Sequence, residues 1–412
     1  MTKLKVQKQS NIPLILMMFA IVMFGLVILY SVSGPAGYAL TEHDSAYYLK
    51  RQIVFSAAGI AAALLISIFP VNFFKHPVIW VTSYFVSLGL SILVRFVGVT
   101  INGARRWIRL GSSFEFQPSE ICKLALILAL AGYREYIVKL RSQGKLKSTT
   151  GRRQAWNHAF FDFILPVGAC LLVDLFILFE PHFSCFLIVG VIVFMCTVNS
   201  GAGIRAWFLG GLTLALVGVI FIGVYVVVNP NFRSNFAHVY QRLNIFAATS
   251  GDEEVEVTED ETRQVTNAHN ALGSGGMWGR GLGSSRAKYN YVSEAQNDYV
   301  FSIYVEETGF VGGAILIFMY MIIFAMFVTV ILRTNSVFSR MLATGCTTFI
   351  VVQVVLNIAV ELQVIPSTGV TLPFVSYGGS AQMILLAAYG LILCVSRDGT
   401  SPKVRKIKEA ST

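Results

Sequence analysis

Long apolar blocks, broken by short polar and charged connections, set the pattern of this chain. The blocks run to about 17–24 residues, the length a helix needs to cross ~30 Å of hydrocarbon. Ten of them read as spans: 12–32, 53–69, 77–94, 119–133, 162–179, 183–199, 207–228, 309–332, 341–361 and 380–396. Inside hydrocarbon every backbone polar group must find its partner within the protein, which selects helices for segments of this length. The predicted fold class is an all-α polytopic membrane protein with about ten transmembrane helices. One membrane domain takes in 1–412: spans 1–7 in 12–228, a large extracellular loop between spans 7 and 8 in 229–308, spans 8–10 in 309–396, and a basic cytoplasmic tail in 397–412. The connection before span 10 reads ELQVIPSTGVTLPFVSYGGSA. Pro366 and Pro373 forbid a regular helix there, and Gly378-Gly379 allows a sharp return. A re-entrant or broken segment is therefore expected, tolerated where it lines a cavity or packs on protein.

Composition agrees with the pattern. The chain is 55% hydrophobic and only 13% charged, where a soluble protein carries roughly 25% charged residues. The formal charge of +10 would suggest a nucleic-acid partner were it not for its placement. Lys3, Lys5 and Lys8 precede the first apolar run, which is long for a signal peptide and reads as an uncleaved signal-anchor. With that end cytoplasmic, an even number of spans puts both termini inside. Two dense basic clusters then fall inside, Arg134–Arg153 and the tail from Arg397 to Lys408. This is the charge asymmetry that orients membrane proteins, with some attraction for anionic membrane lipid, and no nucleic acid is expected. All six cysteines lie in or beside apolar blocks, so no disulfide framework is indicated. The histidines and carboxylates form no metal-ligand pattern. Asp252–Glu261 carries seven acids in ten positions and reads as a self-repelling, solvated tether.

Three segments carry candidate chemistry. The loop Phe96–Ser119 brackets Trp107 with Arg105, Arg106 and Arg109. Guanidinium forks suit phosphate and an aromatic face suits a sugar, although snorkelling arginines in an interfacial aromatic belt give the same pattern. Gln117-Pro118-Ser119-Glu120 then leads into an apolar helix, with Pro118 or Ser119 able to start it and Glu120 favouring its N-terminal dipole. Lys123 lies one turn inside, where a cation must face a polar cavity or a partner. The second segment, AHNALGSGGMWGRGLGSS, is neither a phosphate-binding loop of the Walker type nor a dinucleotide fingerprint. Beyond it Asp298 sits among Tyr299 and Phe301 at the membrane lip, followed by Glu306 and Glu307. A carboxylate there loses part of its hydration, which suits it to general-base work. The third is the broken segment, whose Ser376, Tyr377 and Ser380 offer hydroxyls.

These motifs occur in one order: NGARRWI with QPSE and a lysine, GSGGMWGRGLG with an Asp-aromatic pair and EETG, and PSTGVTLPFVSYGGS. In this the chain resembles the SEDS family (shape, elongation, division and sporulation; the FtsW, RodA and SpoVE proteins, FtsW above all) over essentially its whole length. The resemblance implies a peptidoglycan glycosyltransferase of the bacterial cell membrane that polymerises lipid II. Its implied partners are a class B penicillin-binding protein and other membrane proteins of the division or elongation machinery. It implies Asp298 as the catalytic base. Arg51, Arg105, Arg109, Lys123 and Arg242 are the implied cations for the diphosphate. Trp107, Gln117, Ser119, Glu120, Gln264, Glu306, Ser376, Gly378, Gly379 and Ser380 would shape the substrate pocket. No organic cofactor or resident metal is implied, and a divalent cation (Mg or Mn) is left open. The chain departs from the family pattern at Glu180-Pro181-His182-Phe183-Ser184-Cys185, at Gln296-Asn297, at Ser380-Ala381, at Glu361 and in the acidic run. Two other readings compete. Intramembrane Lys123, Asp174 and Glu361 would also suit a lipid II flippase, and a non-catalytic division or elongation scaffold needs no base at all.

Overall fold

The computed structural model describes residues 11–41, 43–101, 104–111, 114–146, 152–178, 180, 183–228, 244–246, 259–289 and 295–399. Among the described residues, seven helices are long and apolar enough to cross a membrane. They are α1 (Ile12–Thr41), α2 (Tyr47–Ile68), α4 (Pro77–Val97), the run formed by α6 (Arg152–Ala159) with α7 (Leu165–Leu178), α11 (Val300–Arg333), α12 (Val337–Glu361) and α13 (Gly379–Gly399). Two further apolar helices, α8 (Phe183–Asn199) and α9 (Ile204–Val228), and the charge-bearing α5 (Pro118–Ser142) bring the described spans to ten. A single turn, α3 (Val71–Phe74), links α2 to α4, and α10 (Glu259–Ser274) lies in the long connection before α11.

Each helix buries one stripe and offers another to lipid. On α1 the buried set is Leu14, Met18, Ile21, Val22, Gly25, Ile28, Leu29 and Val32, at helical spacing, while Leu16, Met23 and Val27 face outward. Both stripes are apolar because lipid is as apolar as the core. Close approach is therefore left to small residues. A Cβ on Gly390 of α13 would come within 2.6 Å of the Ala63 Cα and carbonyl oxygen on α2, and a Cβ on Gly132 of α5 within 2.2 Å of Trp80 on α4. The most enclosed long helices are α12 and α13, and the rest wrap around them.

Three features depart from a plain bundle. Phe96–Ser119, expected as a loop, contains a small antiparallel sheet, β1 (Val99–Ile101), β2 (Ala104–Leu110) and β3 (Phe114–Phe116), in the order β1-β2-β3. Alternation on β2 puts Arg105, Trp107 and Arg109 on one face and Arg106 and Ile108 on the other. Between α6 and α7 the chain makes a π-turn, Phe160–Ile164. Pro166 has no N–H to return to the preceding turn, which favours such a widening. Asp162 in that turn collects Arg134, Arg141 and His158 at 2.5, 2.7 and 2.9 Å.

The third is the start of span 8. Helix begins at Val300, nine residues before the expected 309, and breaks at Gly309 (φ 71°, ψ −173°). The glycine-rich loop repairs the break. Arg280 and Gly281 N–H donate to the carbonyls of Glu306 and Glu307 (3.0 and 2.9 Å), and Phe310 and Val311 N–H donate to those of Gly276 and Met277 (2.8 and 3.2 Å). Of the acidic run, the last three residues open α10 and the others lie outside the described residues.

The α2–α13 contact gives a direct check. Gly390→Ala forces a methyl against the α2 backbone and is expected to cost about 1–3 kcal/mol as overpacking. Gly89→Ala on α4, where nothing lies within 4 Å, is expected to be neutral or slightly stabilising. Thermal unfolding of the two purified variants in one detergent measures the contrast, and equal melting temperatures would refute the close contact.

Candidate active site

A cavity of about 760 Å³ lies at the end of the bundle where the sheet and the broken segment meet. Five structural units build it. The first turns of α2 give Tyr47, Arg51, Val54 and Phe55, the sheet gives Trp107 and Glu115, and the start of α5 gives Gln117, Glu120 and Lys123. The turn before α11 gives Asn297 and Asp298, and the broken segment with the start of α13 gives Gly369 to Thr371 and Tyr377 to Ala381. Cys185 and Ile188 of α8 and Gln353 of α12 close the wall.

The cations are fixed in different ways. Pro118 stands in the first turn of α5, so Lys123 lies about 8 Å further along the axis, towards the membrane interior. It is buried, and its Nζ lies 2.6 Å from Glu120 Oε1 and 4.8 Å from the centre of the Phe349 ring. The i, i+3 spacing puts the pair on one face. Glu120 thus serves the lysine more than the helix dipole. Arg51 lies over the Tyr47 ring at 4.6 Å and hydrogen-bonds to the Tyr377 phenol. Burial pushes that phenol above its ordinary range, with Arg51 opposing the rise.

The carboxylate is held through its backbone. Asp298 is half-buried in a turn over 295–298. Asn357 on α12 donates from Nδ2 to the carbonyls of Asp298 and Val370, both at 2.9 Å. Tyr377 N–H donates to the Gln296 carbonyl at 2.9 Å. Glu361, one turn beyond Asn357, accepts the N–H groups of Phe301 and Ser302 at 3.3 and 2.5 Å. It therefore caps α11 immediately after Asp298, where the helix leaves N–H groups free.

The broken segment is clamped from several helices. Gln52 of α2 donates to the Ser376 carbonyl (3.2 Å) and accepts from Gly378 N–H (3.4 Å). Ser184 of α8 donates to the Thr368 carbonyl, Tyr320 of α11 to that of Pro373. Phe374 adopts φ 69°, a left-handed conformation costly for a phenylalanine. Its carbonyl packs onto Gly25 of α1, where a Cβ would come within 2.1 Å.

Of the residues singled out from the sequence, Arg51, Trp107, Gln117, Glu120, Lys123, Asp298, Gly378, Gly379 and Ser380 meet at this cavity. Others do not line it. Arg105 donates to the Arg95 carbonyl at 3.1 Å, and Arg109 is paired with Glu115 at 2.8 Å, although both share the β2 face of Trp107. Ser119 is buried beside Cys185. Ser376 turns its hydroxyl to Leu372 N–H at 2.9 Å. Gln264 lies on α10, and Arg242 is outside the described residues. Glu306 is buried in the glycine-rich loop, bound by Ser285 Oγ (2.5 Å), Arg286 N–H (3.1 Å) and Arg280 (3.3 Å). Gln52, Gln353 and Asn357 were not anticipated. Gln353 and Asn357 are polar residues within an apolar run, the same signal that marks Lys123, whereas Gln52 follows Lys50-Arg51 at the edge of one. Among the described residues no group of three His, Cys, Asp or Glu side chains could hold a metal ion.

The arrangement offers a half-buried carboxylate, two fixed cations and apolar walls at a membrane surface. Chemically, such a lining can hold an anionic amphiphile and accept a proton at the carboxylate, and it sits in a polytopic membrane protein. A family model described as cell cycle protein, of the FtsW, RodA and SpoVE type, matches residues 12–401, and the chain belongs to this family. It is similar to the probable peptidoglycan glycosyltransferase FtsW of Trichlorobacter lovleyi, at 31% identity over 94% of this chain and 93% of that one. It is similar also to the stage V sporulation protein E of Bacillus subtilis, at 31% over 94% and 97%. A solved peptidoglycan synthase complex that coordinates polymerization and crosslinking contains a chain that superposes with a TM-score of 0.70 and 28% identity, over 95% of this chain and 99% of that one. The rod shape determining protein RodA of Thermus thermophilus superposes at 0.62 and 27%, over 95% and 98%.

Two measurements probe the charges. Lys123→Met leaves Glu120 alone in the cavity wall and is expected to destabilise by about 3–5 kcal/mol. Lys145→Met, on an exposed connection, should change stability by less than about 1 kcal/mol. Pairing Lys123→Met with Glu120→Gln should recover much of the loss, and no recovery would mean the two are not partners. Glu180, between α7 and α8, is buried, which pushes its carboxyl from 4.5 up to about 8, the Arg106 guanidinium opposing. The folded protein then binds a proton that the unfolded chain releases, so stability falls as pH rises from about 4.5 to about 8. Glu180→Gln should melt above the parent near pH 8.5 and lose most of that advantage near pH 5; a pH-independent difference would contradict burial of a neutral acid.

Proposed function

We propose that this protein is a peptidoglycan glycosyltransferase that polymerises lipid II into β-1,4-linked glycan at the outer face of the cell membrane. The observation that carries the reading is one cavity that holds the Asp298 carboxylate together with Arg51 and the buried Lys123. Lipid II is a disaccharide-peptide on a polyprenyl diphosphate, and it needs a sugar site and a lipid path at one membrane lip. Asp298 takes the proton from the acceptor's 4-hydroxyl as that oxygen attacks the donor's anomeric carbon. The bond from that carbon to the diphosphate oxygen breaks, and the diphosphate leaves with the electron pair. Lys123 and Arg51 stabilise its charge. An α-linked donor gives a β-linked product, so inversion with one base and no covalent intermediate suffices.

The orientation follows from charge. Arg134 and Arg141 gather on Asp162 near the far end of α5 from the cavity. That end faces the cytoplasm, as do both termini. A class B penicillin-binding protein is the proposed partner, in keeping with the similarity to a chain of a peptidoglycan synthase complex.

Purified protein given labelled lipid II, with and without such a partner, tests the reading. Asp298→Asn keeps the shape but cannot accept the proton, and polymerisation should fall by about 10²–10⁴-fold. Glu135→Gln, at the start of the basic cluster on α5, where the side chain pairs with Lys75 at 3.4 Å far from the cavity, should stay near the parent. Membrane insertion should be unchanged in both. An Asn variant that polymerises within about ten-fold of the parent would put the base elsewhere. A parent that only translocates lipid II would make the protein a transporter.

A further inference from the structure

The first helix is longer than a membrane requires. From Ile12 to Thr41 it has 30 residues, about 45 Å at 1.5 Å per residue, against ~30 Å of hydrocarbon. Its last ten or so residues therefore stand at and above the headgroups on the cavity side. Along this stretch lies a second cavity, of about 700 Å³. Tyr30 and Tyr38 of α1 and Tyr289 of the glycine-rich loop form its walls, each with roughly half its surface open. Ser31, with its small side chain, and Gly34 and Gly283, with none, let a ligand come close to the backbone.

The base of this cavity is fixed. Lys288 Nζ lies 2.7 Å from Glu307 and donates to the carbonyls of Gly283 (2.7 Å) and Ser31 (3.1 Å). The Ser31 hydroxyl donates to Glu307 and accepts from Gly283 N–H at 3.0 Å. The Tyr38 hydroxyl meets His43 Nδ1 at 3.0 Å. The ammonium is thus committed inside the protein, and an anionic ligand finds no strong partner in the lining. Beside the apolar Val27, Pro35, Ala39 and Leu282, the lining offers three phenol faces with hydroxyls at their edges, running from the top of the span at Tyr30 to the level of the headgroups and water at Tyr38. That combination suits uncharged sugar rings, whose C–H faces stack on aromatics while their hydroxyls hydrogen-bond at the edge.

The position is as informative as the lining. Ser45 lies on this cavity, while Tyr47, two residues on, lies on the active-site cavity. The stretch of chain that leads into α2 thus lines both cavities. A polymerase that retains its product must guide sugar units away from the reacting pair. We infer that the Tyr30–Tyr38–Tyr289 cavity holds the glycan strand already made, a β-1,4-linked N-acetylhexosamine chain gripped through its ring faces. The inference rests on the polymerase reading above.

The test uses the full chain in lipid nanodiscs. The Asp298→Asn variant is titrated with the soluble β-1,4 tetramer of N-acetylglucosamine, alone and with Tyr30→Ala or Tyr38→Ala added. Each tyrosine loss is expected to weaken tetramer binding by about two- to ten-fold. With Asp298 restored, the same tyrosine variants should make strands shorter by a similar factor while consuming lipid II at close to the parent rate. Tyr30→Phe, which keeps the ring, should retain most of the strand length. Unchanged binding and unchanged length in the alanine variants overturn the inference, as does a change only in co-purifying phospholipid, which would make this a lipid groove. A parent that makes no polymer from lipid II, whatever it does with the tetramer, would instead defeat the polymerase reading.

Discussion

A lysine cannot stand alone in hydrocarbon, and much of the active end of this protein is arranged around that fact. Lys123 and Glu120 neutralise each other on one face of α5, with Phe349 beneath the ammonium. The pair keeps a polar cavity open below the membrane surface, and the cavity in turn tolerates the irregular backbone of the 366–378 segment at that depth. Removing the charge would remove the reason for the space. The local sequence has the same logic, since Pro118 fixes where the helix starts and hence how deep Lys123 lies.

Two loops that are far apart in the chain behave as one piece. Tyr377 N–H joins the Gln296 carbonyl, and Asn357 grips both loops with one amide. All three links end on main-chain carbonyls of the loops, so they hold whatever side chains those loop positions carry. Glu361 adds a further tie, because its carboxylate satisfies the N–H groups at the start of α11.

The apolar blocks were legible because hydropathy reports directly on lipid contact, and each of the ten expected spans falls on a helix, although α1 and α5 run nine residues past their expected ends. The start of span 8 was not. Glu306 and Glu307 look like the end of a solvated loop, yet both are buried by pairing with Arg280, Lys288 and Ser285. Sequence spacing cannot show a partner twenty residues away. The same blindness put Glu306 beside the substrate when it holds the glycine-rich loop. The strand β2 carried a readable signal, the alternation Arg105-Trp107-Arg109 against Arg106-Ile108, but three arginines in five residues drew attention to charge instead of period. Lys123 was found because a cation in an apolar run is conspicuous. Gln52 and Asn357 were passed over because neutral amides are less so, although hydrogen-bonding demand in lipid is the same kind of evidence.

The break at Gly309 has a mechanical meaning. A continuous helix is a stiff rod, and a bilayer that thickens or thins would tilt it as a whole. Here the rod is cut. The short upper piece, Val300 to Thr308, and the first residues of the long lower piece are both fastened to the glycine-rich loop, the upper piece also to Glu361. The loop splints the cut, so a tilt of the lower rod carries the loop and the upper piece with it as one block. The lip then turns as a unit, and the spacing of its residues does not follow the thickness of the membrane beneath.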